Sequence, residues 1–110
     1  MVTHKSSIIA DDYFYGKLSI PNKVSYIKHV AKSCRNYEEL ESVEKWGYKI
    51  LYDAYNLFIR IISNQHYYVS TITNAIIKFS ENFDAWQDDM AKAFKQLAEE
   101  LPEEAVMEQN

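Results

Sequence analysis

The 110-residue sequence predicts an all-α fold, an antiparallel bundle of four helices or five, and three observations point there. Two glycines and two prolines are too few to punctuate many short strands, and an apolar fraction of 47% suits one modest core. Apolar residues also recur at spacings of three and four over long stretches, the period of an amphipathic helix. The expected organisation is a flexible N-terminus at 1–6, a helical bundle domain at 7–101, and an acidic flexible tail at 102–110 opened by Pro102.

The first helix is expected from about Ser7 to Tyr15, with Ser6 or Ser7 as cap, Asp11 and Asp12 in its early turns and Gly16 as its stop. A second start follows at "LSIPNK", with Ser19 as cap and Pro21 tolerated in the first turn. Ile20, Val24, Ile27, Ala31 and Cys34 then form one apolar stripe, while Lys23, Lys28, Lys32 and Arg35 lie off it. "NYEE" has the form of a capping box, Asn36 with Glu39 three residues on. The helix it opens should reach about Asn64, with a core stripe of Leu40, Val43, Gly47, Ile50, Ala54, Leu57 and Ile61, widened by Leu51 and Phe58. Gly47 and Ala54 on that seam suggest a close approach by a neighbouring helix, a kink at Trp46–Gly47 being the alternative. The last stripe runs from Val69 through Ile72, Ile76, Phe79, Phe83, Trp86, Met90 and Ala93 to Leu97 without a slip, flanked by Phe94 and Leu101. Unbroken, that helix would be about 50 Å long. It either breaks near 80–84, with Asp84 as a new cap, or extends into an intermolecular coiled coil.

The net charge of −4 conceals an asymmetry. Residues 1–80 carry ten Lys and Arg against seven acids, and residues 81–110 carry two lysines against nine. Such an acidic end solvates a helix, pairs with the chain's own basic helix, or steers a basic partner. A nucleic-acid interface would rest on Lys23, Lys28, His29, Lys32 and Arg35, but no recognised binding motif accompanies them, and a solvated face explains them. The N-terminal stretch lacks the apolar core of a signal peptide, and no apolar run is long enough to span a bilayer. With one free cysteine, the chain reads as a soluble cytoplasmic protein. Abundant Ile, Asn, Lys and Tyr suggest an AT-rich bacterial or phage genome.

The helix "YKILYDAYNLFIRII", residues 48 to 62, raises the functional question. Its strongly polar residues, Lys49, Asp53, Asn56 and Arg60, form one thin line. Besides the core stripe it carries a second, Tyr48, Tyr52, Tyr55, Ile59 and Ile62, spaced 4, 3, 4 and 3. One stripe is buried by the chain's own helices. The other is covered either by the N-terminal segment with Tyr13, Phe14 and Tyr15, or by another protein, a second copy among the candidates. Tyrosines mixed with aliphatics are the composition enriched at interfaces.

Motifs for catalysis or cofactor binding are mostly missing: there is no glycine-rich phosphate loop, no His-Glu-x-x-His and no Cys-x-x-Cys. Cys34 lies on an apolar seam and reads as a small core residue, and Asp84, Asp88 and Asp89 read as cap and solvated face, so no metal or cofactor is expected. "RIISNQH", Arg60 to His66, resembles the Arg-x(4–6)-His signature of the HEPN domains, small all-helical proteins that are often dimeric ribonucleases. The resemblance implies RNA cleavage across a dimer cleft, with His66 moving protons and Arg60 stabilising charge. Here Ile61 stands where that family usually has a polar residue. On one continuous helix the two side chains would lie about 120° apart, so they converge only if the helix ends between them. The leading expectation is a non-catalytic protein-binding module, an adaptor, inhibitor or immunity protein, or secretion-type chaperone. Its binding face would be Tyr48, Tyr52, Tyr55, Ile59 and Ile62 with the acids Asp84, Asp88 and Asp89.

Overall fold

A computed structural model of the chain describes residues 4–102. Among them the order is α1 (His4–Asp11), a π-helical segment (Asp12–Lys17), α2 (Ile20–Lys32), α3 (Tyr37–Ser63) and α4 (Val69–Glu100). The all-α bundle is as expected, but its four α-helices make three rods. Ser6 donates to the Thr71 carbonyl, Asn82 donates to Asp11, and Lys28 pairs with Asp89. The partners on α4 therefore advance as α1 and α2 advance, so these two lie end to end, parallel to α4. Tyr52 meets Gln87 while Tyr55 meets Ser80, so α3 runs antiparallel to α4. The result is a rod of 62 × 21 × 19 Å.

The N-terminal arm departs most from expectation. α1 begins at His4, so residues 4–6 are helical. Ser6 is fully buried and its hydroxyl reaches the Thr71 carbonyl at 3.1 Å, so it fastens α1 to α4 instead of capping. Gly16 does not stop the helix but lies inside the π-helical segment, where the Leu18 amide bonds the Tyr13 carbonyl at 2.8 Å. The physical reason lies in the spacing of Ser6, Ala10, Phe14 and Leu18, all buried. Steps of four drift about 40° each on an α-helix, and the wider turn of a π-helix holds the later members on the inner face. The break falls at Ser19, in the left-handed region at φ 47° and ψ 51°. Its hydroxyl donates back to Gly16 at 2.9 Å and does not cap α2. Pro21 sits in the first turn of α2, as expected.

Ile20, Val24, Ile27 and Ala31 of α2 are buried, with Cys34 half-buried beyond the helix end. At the start of α3 the Asn36 side chain accepts from the Glu39 amide at 2.9 Å, as a capping box requires. The reciprocal bond is shifted by one residue: the Glu39 carboxylate accepts from the Arg35 amide at 2.8 Å. α3 passes Gly47 as one continuous helix, and the fully buried Ile27 packs where a Gly47 side chain would stand. Its core face is rotated from the expected one. Leu51, Phe58 and Ile62 are buried together with Leu40, Gly47 and Ala54, whereas Leu57 is exposed.

α4 is unbroken for 32 residues, so Asp84 caps nothing. The helix is supported along its length by its own chain, by α1 and α2 on one side and α3 on the other. Ala75, Phe79, Phe83, Met90 and Phe94 are its buried residues. The core is joined by rings: Phe58 stacks on Phe79 at 4.0 Å, Tyr13 meets Phe58 edge-on at 5.4 Å, and Phe14 meets Phe79 at 5.3 Å. Among the described residues no helix is long and apolar enough to cross a membrane.

Candidate functional site

The second stripe of α3 faces α4, and α4 rather than the N-terminal segment covers part of it. Tyr13 and Phe14 pack on Phe58 and Phe79 deeper in the bundle. Ile62 is fully buried and belongs to the core, which removes it from any docking face. Tyr55 is largely covered too: its ring lies 4.9 Å from Phe83 and 5.9 Å from Phe79, and its hydroxyl shares a 2.6 Å hydrogen bond with Ser80. Ile59 is half-buried. The stripe thus grades from core at its Ile62 end to surface at its Tyr48–Tyr52 end.

Tyr48 and Tyr52 sit one turn apart on α3 and stack with ring centroids 6.3 Å apart and planes at 26°. Tyr52 is 47% exposed although its ring touches Phe83 and its hydroxyl accepts a 2.8 Å bond from Gln87. That bond fixes the ring upright at the edge of the α3–α4 seam and leaves its outer face open. The two tyrosines, Glu44, Lys45, Lys49 and Asp53 line an open concavity of about 560 Å³. Ring faces fixed on a rigid helix, beside polar rims, give contact area at a small entropy cost.

The surrounding charges divide into two groups. Lys45 pairs with Glu41 at 3.4 Å and Lys49 with Asp53 at 3.2 Å, both one turn apart on α3. Glu44, Asp84 and Asp88 have no ion-pair partner among the described residues. Glu44 and Asp88 act on the rings, Asp84 being exposed on α4: the Tyr48 hydroxyl is held above the usual tyrosine range by burial first, then by Glu44, Tyr52 and Asp88. Asp89 is placed differently. It pairs with Lys28 at 2.9 Å across the α2 side of α4, so it belongs to the fold and not to the tyrosine face.

Two features of the surface lie outside the stripes that spacing marks. Glu44 and Gln87 frame the tyrosines, and their only sequence signal is spacing, Glu44 one turn before Tyr48 and Gln87 four residues after Phe83. Tyr26 and Trp46 form a second exposed aromatic pair, 5.9 Å apart, on the α2–α3 side. Each immediately precedes a buried residue, Ile27 and Gly47, and so stands at the edge of its helix's inner face.

α3 ends at Ser63, between Arg60 and His66. Both residues are exposed, and among the described residues neither side chain has a hydrogen bond or ion pair, with each other or with any other group. The Asn64 side chain instead closes the helix end on the Arg60 carbonyl at 2.9 Å. Cys34 is half-buried, its thiol facing the Val30 carbonyl at 3.8 Å, and burial followed by Glu39 pushes the thiol up from its ordinary value. It is therefore held as a thiol at neutral pH, which suits a packing role. Comparison with protein-family models, with curated proteins and with solved structures finds no match for this chain.

Proposed function

We propose that this chain is a non-catalytic protein-binding module that docks the α3–α4 seam at Tyr48 and Tyr52 on a partner protein. The adaptor, inhibitor or immunity protein, and secretion-type chaperone roles all use this mode, in which an exposed aromatic face occludes or carries a partner. One observation supports the reading above the others: a stacked tyrosine pair, half open to solvent, is bordered by carboxylates that the chain does not neutralise. Exposed rings on a rigid helix supply the buried area of a hot spot, and unpaired acids at the rim supply steering and selectivity. A reducing cytoplasm suits the free Cys34 thiol.

The test is affinity capture from cells of the native source, comparing wild type, Tyr52→Glu and Tyr26→Glu, each checked for helicity. A charge on the seam should cut the captured partner by about tenfold or more, since loss of one hot-spot aromatic costs ~2 kcal/mol. Tyr26→Glu should capture as wild type does. Equal capture by Tyr52→Glu and wild type contradicts the proposal.

A further inference from the structure

We infer that the occupant of this seam is an amphipathic helix of a partner protein that brings Lys or Arg side chains onto Tyr48 and Tyr52, between Glu44 on α3 and Asp88 on α4. The inference rests on the docking reading above and adds the chemistry and shape of the partner.

Charge is the first ground. Two of the lysines on this face are already neutralised by their own helix, Lys45 by Glu41 and Lys49 by Asp53. Of the acids left over, Glu44 lines the concavity of the two rings and Asp88 acts on Tyr48, and a third lysine, Lys95, lies farther along the seam in a concavity with Glu41 and Glu44. Negative charge therefore dominates at the tyrosine end. A cation placed over a tyrosine face gains from the ring's quadrupole as well as from the carboxylates, and its aliphatic stem lies on the ring. An anionic partner, nucleic acid included, would be repelled at the same place.

Shape is the second ground. The tyrosine concavity meets the neighbouring one at Glu44, which lines both. The second is about 270 Å³, with Leu40 and Phe94 below and the small side chains Ala91 and Ala98 on the α4 side. Together they follow the seam from Tyr37 to Tyr52, about 22 Å along α3 and the length of a helix of about 15 residues. A groove with an apolar floor and one acidic end fits a helix whose apolar stripe lies inward and whose cations cluster at one end.

The experiment uses the full chain, isotope-labelled, and two synthetic helical peptides as probes: one of leucine and lysine, and one with glutamate in place of every lysine. The lysine peptide should shift the amide signals of Tyr48 and Tyr52 and bind more weakly as salt rises. Glu44→Gln with Asp88→Asn should weaken it by about tenfold, the product of two exposed ion pairs. Glu38→Gln with Glu100→Gln, an equal change of net charge at exposed positions away from the tyrosine end, should leave binding within about twofold, the scale of a remote surface charge. The inference is overturned if the two double variants weaken binding equally, if the glutamate peptide binds as well, or if neither peptide moves Tyr48 and Tyr52. Should that happen while capture still depends on Tyr52, the cationic occupant is wrong and the docking face stands. Capture that ignores Tyr52 removes both.

Discussion

Gly47 shows how one residue sets the spacing of two helices. A side-chain carbon added there would lie 2.5 Å from Ile27 Cγ2, and Ile27 is fully buried. Gly16 is the counterpart: a carbon added there meets nothing nearer than Asp12 Oδ1 at 3.6 Å. Gly47→Ala should therefore destabilise by about 1–3 kcal/mol through overpacking, although alanine alone would favour the helix by up to ~1 kcal/mol. Gly16→Ala should be neutral or stabilising by a few tenths of a kcal/mol. Urea unfolding of both, with Ile27→Ala added to test non-additivity, reads the difference; stabilisation by Gly47→Ala would mean the helices are not this close. The sequence made the small-residue seam of Gly47 and Ala54 legible but did not reveal Ile27 as the neighbour. Ile62 falls in the core and not on the open end of the second stripe for a related reason. When apolar residues cover most of a helix, spacing defines rows but not which row faces inward, and Ile62 lies beside Phe58 and Leu51 as closely as beside Tyr55.

At the level of elements, the capping of α3 was readable because its chemistry is local. Glu39 accepts from the Arg35 amide and guanidinium, and these bonds hold its carboxyl below the usual glutamate range. A depressed folded value means the bonds add stability above the unfolded value, and that this is lost as pH falls through the folded one. Glu39→Gln should thus melt below wild type near neutral pH, and the gap between them should close in acid. A gap independent of pH would contradict the role of the ionised carboxylate. Serine at a helix start is only a propensity, and at Ser6 and Ser19 tertiary contacts override it: Ser6 is drawn into the α1–α4 contact, and Ser19 takes up the turn between α1 and α2. The run Ser6, Ala10, Phe14, Leu18 was the available signal for the π-helical segment. Spacing alone does not decide the continuity of α4, because its length exceeds a compact core of this size, a premise that an elongated bundle removes.

That elongation explains the open seam. The radius of gyration is 17.5 Å, against about 13 Å for a compact domain of 100 residues. A compact four-helix arrangement would lay a fourth helix over the second stripe of α3. Here α1 and α2 are spent end to end beside α4, so among the described residues no rod lies outside Tyr48 and Tyr52. Fold class and the location of the ambiguous stripe were legible from spacing. The number of rods was not, because it depends on whether two short helices fold back or continue in line. The docking face is tested most directly by placing a photo-reactive aromatic residue at position 52 and, separately, at position 29 on the exposed side of α2, then irradiating cells of the native source. A docking seam predicts one defined covalent adduct from position 52 and none from position 29. No adduct at 52, or the same adducts from both positions, would contradict it.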